Sequence, residues 1–339
     1  MTDACRSAFC RRSTPYTRFR ERLMHGLFGL AGLSAVLILL GIFILLAIMT
    51  AKAFTQGEPP LGSAGLTARE ISELPPTERE MLTIGVRPIS TSNFLGSAVW
   101  NPTSYVKRSY GILAMLASTL MVTLLALLLA VPIGVGAAAY LSEFAPHRVR
   151  EVVKPLIEIL AGIPSVVVGF LGIVVLGPIL ARIFGMPNGL NAVNGGVLLA
   201  IMSLPTIVSV SEDALKAVPR SYREASYALG ANRLLTTLRV VVPSALSGII
   251  AAVMLGMGRA IGETMTVLMA TGNASAFPHG LLDSVRTLTA TIAIELGEVP
   301  FGTVHYHALF AVGFVLFVLT LVVNVISDVV LHRHQARYS

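Results

Sequence analysis

Charged residues and cysteines are scarce in this sequence. Of its 339 residues only 13% are charged, whereas 54% are hydrophobic, and the mean hydropathy is +0.77. Soluble globular chains carry roughly 25% charged residues, so the composition excludes an ordinary soluble domain. The two cysteines, Cys5 and Cys10, both lie in a basic N-terminal tail. Two such residues cannot form a disulfide framework or a structural zinc site, and we predict no metal site.

Two functional patterns are also missing. No Walker A pattern occurs, so we expect this chain to have no catalytic residue for ATP hydrolysis and to hold no cofactor. ATP and Mg²⁺ would then be bound by a partner ATPase. No internal repeat is visible either, which removes the usual sign of an inverted-repeat secondary transporter.

Long apolar runs, by contrast, are frequent. About 20 apolar residues cross the ~30 Å hydrocarbon core of a bilayer, and six segments approach this length. We therefore predict an all-α polytopic membrane protein with six transmembrane helices. The approximate spans are 27–50, 111–140, 155–180, 195–210, 245–271 and 307–331. Residues 51–53 resemble a signal-peptide cleavage site, but the preceding 24 apolar residues exceed a signal-peptide core and favour an uncleaved helix.

The polar segments between the spans suggest how the chain is divided. We expect a basic cytoplasmic tail, a first transmembrane helix, an external loop, a core of five helices containing a polar cytoplasmic loop at 212–243, and a short cytoplasmic tail. The corresponding ranges are 1–26, 27–53, 54–110, 111–331 and 332–339. The external loop should be partly ordered near Phe94 and Trp100, and Trp100 and Tyr110 suit an interfacial aromatic belt.

Lysine and arginine set the expected orientation. The two tails, the loop after the second span and the 212–243 loop carry 16 of the 25 basic residues, and the opposite side carries eight. The positive-inside rule then places both termini and the 212–243 loop in the cytoplasm.

The 212–243 loop carries signals for two short helices. Ser221 and Glu224 have the spacing of a capping box. Gly230 lies where a helix needs a left-handed residue to end. Asn232 can cap a second helix, which Pro243 ends or bends. The expected structure is helix, glycine turn, helix.

This loop has three interpretations. It could be a solvated connector, a helix-turn-helix DNA reader or a docking helix for a cytoplasmic partner. Tethering by spans on both sides disfavours DNA, and we expect no nucleic-acid partner. The loop resembles the E-A-A-x3-G-x9-I-x-L-P signature of ABC-importer permeases, which favours docking. The matching residues are Glu224, Ala225, Ser226, Gly230, Val240, Val242 and Pro243.

Two charges fall inside the fifth predicted span. Arg259 and Glu263 are four residues apart and would share one helix face. They could be a self-neutralising pair that only holds helices together. Alternatively, with Thr264, they could line an anion pathway, since a guanidinium fork suits a phosphate-type oxyanion.

Other polar side chains are weaker candidates. Glu158 in the third predicted span could reach the interface or pair with Lys154. His305 and His307, at an external helix end, are more typical of an interface than of a metal site.

Three further stretches are similar to the phosphate-specific ABC-importer permeases. They are Tyr140-Leu-Ser-Glu143-Phe144, Glu158 to Val166 through Pro164 and Ser165, and Gly258 to Val267. Met265-Thr266-Val267 resembles the PstC type rather than the PstA type of that system.

The resemblance implies a type I, MetI-like permease fold and a subunit that imports inorganic phosphate across the plasma (inner) membrane of a prokaryote. It implies a PstA-type sister permease, a dimer of PstB-type ATPases and a PstS-type external phosphate-binding protein, with membrane lipid around the spans. Ser221, Glu224, Ala225, Ser226, Gly230 and Pro243 would contact the ATPase, and Arg259, Glu263 and Thr264 would line the pathway. Glu158, Pro164 and Ser165 are secondary candidates.

Alternatives stay open at this point. The chain could be the PstA-type sister, a permease for another oxyanion, a non-transporting scaffold, or an ion-coupled carrier or channel that uses Arg259 and Glu263.

Overall fold

The computed structural model describes residues 15–57, 88–104 and 108–335. Most of the predicted basic tail, the middle of the predicted external loop and the last four residues lie outside the described residues. Residues 1–49 and 50–339 form two separate compact units.

Helices account for most of the described chain. In chain order they are α1 (Pro15–Thr55), α2 (Thr91–Gly96), α3 (Leu113–Ala139), α4 (His147–Ala161), α5 (Ser165–Leu171), α6 (Gly177–Phe184), α7 (Ala192–Ala217), α8 (Arg220–Ala228), α9 (Arg233–Thr236), α10 (Val242–Ser244), α11 (Leu246–Gly262), α12 (Met265–Ala270), α13 (Leu288–Glu295) and α14 (Val304–Gln335). Three π-helical segments continue or join them at Tyr140–Phe144, Gly172–Leu176 and Thr237–Val241. Two short antiparallel strands, β1 (Trp100–Asn101) and β2 (Ser109–Tyr110), form a hairpin.

Among the described residues, five helical stretches are long and apolar enough to span a membrane. They are Gly26–Thr55, Leu113–Phe144, Ser165–Phe184, Ala192–Ala217 and Val304–Val329. A sixth span results if Arg233–Ser244 and Leu246–Gly262, which meet at a 70° bend, are counted as one. Pro243 lies just before this bend, as the sequence predicts. The prediction of an all-α polytopic protein is confirmed.

The third span begins later than the sequence predicts. The chain breaks after Ala161, and Pro164 immediately precedes the new helix α5. Proline removes a backbone donor and disfavours helical backbone in the preceding residue, so the helix restarts at Ser165. The predicted span 155–180 is therefore wrong at its start, because residues 155–161 belong to the amphipathic helix α4.

The fifth predicted span is not one continuous helix. Helix α11 ends at Gly262, and Glu263 has extended backbone (φ −68°, ψ 133°) before α12 begins. The Thr289 hydroxyl donates to the Glu263 carbonyl over 2.9 Å, which satisfies an oxygen that a continuous helix would have used.

Small residues bring α3 and α7 together in the core of the 50–339 unit. Ala126 and Ala130 of α3 are fully buried in one cluster with Leu199 and Ile207 of α7. A Cβ atom added at Gly134 would lie 2.7 Å from Ile207 Cγ2. Close backbone approach through small residues is the usual way in which transmembrane helices associate.

The hairpin side of this unit has its own core. Phe94 is buried and packs edge-on against Phe54 at 5.4 Å, which confirms local order in this part of the predicted loop. Trp100 and Tyr110 face each other across β1 and β2 and are also buried. The hairpin turns both rings inward, so they do not offer the exposed side chains that an interfacial aromatic belt uses.

Candidate functional site

Residues 220–236 form helix, glycine turn and helix, as predicted, but the loop begins later than the predicted 212, because residues 212–217 continue α7. Gly230 separates α8 from α9 with φ +84°, a left-handed conformation that glycine adopts without strain. The Asn232 side chain accepts a hydrogen bond from the Leu235 N–H at 2.8 Å and so caps α9. The sequence signals for this turn are confirmed.

The predicted capping box is wrong. Helix α8 begins at Arg220 behind Pro219, and no side chain caps its first turn. Proline has a fixed φ and no N–H group that needs a partner, so it is well suited to the start of a helix. Pro219 therefore lets α8 begin at Arg220, before Ser221. Ser221 and Glu224 lie within α8, and both side chains are exposed to solvent.

A buried hydrogen bond joins α8 to α9. The Ser226 and Thr236 hydroxyls lie 2.9 Å apart, and both residues are buried. A small residue at 226 is therefore required by the close packing of the two helices. Thr236 carries no sequence signal that would have identified it.

The outer side of these helices exposes large apolar side chains beside Glu224. We call this surface the docking face, and its members are Tyr222, Glu224, Tyr227, Leu229 and Leu234. Leu229 is 90% exposed, next to the Gly230 turn. Large apolar side chains that stay exposed near charged groups are a feature of surfaces that contact other proteins. Ala225 is exposed on the same helix.

Arg223 ties α8 to the ends of two spans. Its Nη2 atom lies 2.7 Å from Glu143 Oε1, directly after α3. Its Nη1 and Nη2 atoms also donate to the carbonyls of Val218 and Leu215, at 2.6 and 2.9 Å, where α7 ends. The family signature includes Glu224 but gives no signal for Arg223. The partner of Arg223, Glu143, lies 80 residues away in the sequence, so no local pattern indicates the pair.

A second charge cluster joins α4 to α7. Glu212 is almost fully buried and forms ion pairs with Lys216 of its own helix and with Lys154 of α4, the latter at 3.2 Å. Lys154 also contacts Asp213 at 3.3 Å. The suggested pairing of Lys154 with Glu158 is wrong, because Glu158 is exposed on α4, outside the span.

Arg259 and Glu263 do not share one helix face. Arg259 is exposed near the end of α11, with Nη2 3.4 Å from the Ala161 carbonyl, whereas Glu263 follows the end of that helix. Among the described residues no ion pair joins them, so the self-neutralising pair is not formed. The Glu263 carboxylate instead accepts weakly from the Thr266 N–H at 3.4 Å.

Hydroxyl groups gather around Glu263. Glu263 lines a narrow internal space, too small to hold a water molecule, together with four threonines, Thr119, Thr123, Thr287 and Thr289. Gly262, Thr264 and Thr289 line an open groove of about 450 Å³ on the neighbouring side. The helix break at Glu263 therefore lies between a narrow internal space and an open groove, and threonines contribute to the otherwise largely apolar walls of both.

One of the secondary candidates comes close to this site. The Thr266 hydroxyl donates to the Ser165 carbonyl at 3.1 Å. The start of α5, where Pro164 occupies the N-cap position, therefore packs near the Glu263 break. Glu158, on α4, is not brought to it.

A cluster that the sequence did not indicate lies between the hairpin and α13. Glu295 accepts from Trp100 Nε1 at 3.0 Å and contacts Arg286 at 3.0 Å and His305 at 2.8 Å. His305 is thus held by a carboxylate within the fold. In the described part of the chain, no group of three His, Cys, Asp or Glu residues could hold a metal ion.

Comparison with known proteins places these features in context. Residues 130–338 match the family described as binding-protein-dependent transport system inner membrane component. The chain is 41% identical over 242 residues to the probable ABC transporter permease protein YqgH of Bacillus subtilis, covering 71% of this chain and 77% of that protein. It is 36% identical over 264 residues to the phosphate transport system permease protein PstC of Mesorhizobium japonicum, covering 72% and 80%.

Solved structures share the fold. An inward-facing structure of the MetNI methionine ABC transporter aligns with a TM-score of 0.51 at 21% identity, over 64% of this chain and 93% of that one. A bacterial ABC transporter that imports alginate aligns with a TM-score of 0.57 at 14% identity, over 93% and 99%.

Proposed function

Because the chain belongs to the binding-protein-dependent transport system inner membrane components, we propose that it is the PstC-type permease subunit of an ATP-driven importer of inorganic phosphate. The observation that carries this proposal is the 36% identity to PstC over 72% of the chain. The chain is a multi-pass membrane protein and a transport subunit rather than an enzyme. We place it in the plasma membrane of a prokaryote.

Members of this family work with a separate ATPase and a substrate-binding protein. For this chain we propose a PstA-type sister permease, a PstB-type ATPase dimer that binds the ATP and Mg²⁺, and a PstS-type binding protein outside the cell. The docking face supports an ATPase contact, since Leu229 and Tyr222 expose apolar surface at the tip of the loop. Short helices presenting a few apolar anchors are a common way to engage a groove on a partner.

The proposed route for phosphate runs past Arg259, Glu263 and Thr264. Arg259 offers a fixed, exposed positive charge, which attracts an oxyanion and can bind it through two parallel hydrogen bonds. Thr264 adds a hydroxyl group at the edge of the adjoining groove. Glu263 would repel an anion at the narrow space, so opening that space is the step that needs the ATPase.

Arg259→Gln in the assembled transporter tests this proposal. We expect phosphate uptake to fall at least about tenfold, since hydrogen bonds to a charged group contribute about 1.5–3 kcal/mol. The ATPase should still co-purify. Arg182→Gln, which removes an exposed arginine at the end of α6, is the matched control and should retain uptake.

Three outcomes would count against the proposal. Full uptake by the Arg259→Gln variant would remove Arg259 from the pathway. ATP hydrolysis stimulated by another oxyanion, but not by phosphate, would change the substrate. Uptake by the purified chain alone, driven by an ion gradient, would identify a carrier instead.

A further inference from the structure

The span α3 ends in a π-helical turn, Tyr140–Phe144, which has no role in the phosphate route proposed above. This turn is the Tyr-Leu-Ser-Glu-Phe stretch noted in the sequence. π-Helical turns are rare and often mark functional positions. Here arginine side chains from three other helices contact the turn, and one of them, Arg150, binds backbone carbonyls of the turn.

An arginine from each of α4, α8 and α9 contacts the turn. Arg150 of α4 donates through Nε and Nη2 to the Leu141 carbonyl at 2.9 and 2.7 Å. Arg223 of α8 holds the Glu143 carboxylate through Nη2 at 2.7 Å and Nε at 3.3 Å. The Arg233 guanidinium of α9 lies 5.4 Å from the centre of the Phe144 ring. Both helices that carry the docking face are thus connected to this one turn.

The Arg223–Glu143 contact is the most strongly constrained of the three. The Glu143 side chain is only 7% exposed and that of Arg223 only 17%. Because neither charge can be left alone at such a site without a large penalty, the two groups must move together. The planar guanidinium also fixes their relative orientation, which a lysine could not do.

Span α3 connects this turn to the proposed pathway. Thr119, Val122 and Thr123 of α3 line the narrow space beside Glu263. A shift of the Tyr140–Phe144 turn along the axis of α3 would therefore change the walls of that space. No other described contact of the docking helices reaches α3 through a paired charge.

We propose that the Tyr140–Phe144 turn is where span α3 receives the motion of α8 and α9, with Arg223 and Glu143 as the positioning pair. This inference rests on the proposed function, because it assumes that an ATPase moves the docking face. The pair touches no substrate. It sets how much transport each hydrolysed ATP produces.

The test uses the complete transporter in vesicles and measures phosphate taken up per ATP hydrolysed. Glu143→Gln and Arg223→Gln should each lower this ratio about tenfold, within the usual range of coupling between two sites. The double variant should be no worse than either single variant, because the pair acts as one unit. Glu151→Gln removes an exposed carboxylate on α4 that pairs, within the described part of the chain, with exposed His147, and it should leave the ratio unchanged.

Arg233→Leu provides a second test that leaves the buried pair intact. It should lower the ratio about threefold, less than loss of the buried ion pair, because a cation–π contact at an exposed site is weak. Arg239→Leu, an exposed arginine of the same loop, is its control. If the Glu143→Gln and Arg223→Gln variants do not assemble, the Arg233→Leu variant tests the proposal: a lowered ratio supports it, and an unchanged ratio overturns it.

The outcomes separate this inference from the proposed function. Unchanged ratios in the variants, or losses that multiply in the double variant, would overturn the linkage while leaving the transporter assignment intact. A wild-type complex with no phosphate-stimulated ATP hydrolysis would overturn the proposed function itself.

Discussion

Gly230 holds a backbone conformation that other residues adopt only with strain. Its φ is +84°, and a Cβ atom added there would meet nothing within 4 Å. The cost of a side chain is therefore conformational rather than steric. For Gly230→Ala we expect a loss of about 1 kcal/mol and a melting temperature lowered by about 2–4 °C. Gly230→Asn should lose less, because asparagine tolerates this region.

Gly136→Ala is the matched control for this prediction. Gly136 also has open space around a new Cβ atom, but it lies within helix α3 without a positive φ. Alanine there should be neutral or stabilising by about 0.5–1 kcal/mol. Equal melting temperatures for Gly230→Ala and Gly136→Ala would contradict the conformational explanation.

The Ser226–Thr236 contact makes a different prediction. Ser226→Ala leaves a buried Thr236 hydroxyl without its partner, which costs about 1–3 kcal/mol. Thr236→Val alone should cost a similar amount. The double variant Ser226→Ala/Thr236→Val should recover most of the loss, since neither buried hydroxyl is then unpaired. Thermal unfolding of the three variants checks this cycle, and strictly additive losses would argue against the contact.

At the level of elements, α4 is attached to α7 by charges. Partial burial works to lower the pKa of the Lys154 ammonium, but hydrogen bonds and charges from Glu212 and Asp213 outweigh it and hold the pKa above its ordinary value. A raised pKa means that this stabilisation is complete below the unfolded value of about 10.4. It is lost as the pH rises through the folded value.

Lys154→Met should therefore weaken the alkaline dependence of stability. Melting temperatures measured between about pH 8 and pH 12 should fall less steeply for this variant than for the wild type. Lys52→Met, the same change in α1, is the control and should follow the wild-type curve. Identical slopes for Lys154→Met and wild type would show that the cluster does not hold α4.

The helix breaks show why element boundaries were harder to predict than the elements. Each span can be predicted because its apolar residues extend over the whole length of the helix. Pro164 and Gly169 predict a kink in the third span, but not the complete restart at Ser165, because a proline inside a membrane helix is often accommodated by neighbours. The break at Glu263 depends on Thr289, a residue 26 positions away, and no local pattern indicates it.

At the scale of the whole molecule, the orientation of the chain in the membrane is a prediction that can be tested directly. The native cysteines Cys5 and Cys10 lie in the tail placed in the cytoplasm. A membrane-impermeant maleimide should therefore label intact cells only after permeabilisation. In a chain without native cysteines, Ala276→Cys, exposed in the segment after α12, should label without it. The opposite pattern would reverse the topology and place the docking face outside the cell.

Local chemistry along the chain was enough to establish a polytopic membrane protein, the helix, glycine turn and helix of the polar loop, and the permease family. Apolar run length, a left-handed glycine and a capping asparagine all act within a few residues, so they can be read directly. The pairing of charges was decided only in three dimensions. Arg223 meets Glu143 across 80 residues, and Arg259 and Glu263, four residues apart, do not meet at all, because the backbone turns between them. Ion pairing depends on which helix ends the packing brings together, and sequence spacing does not carry that information.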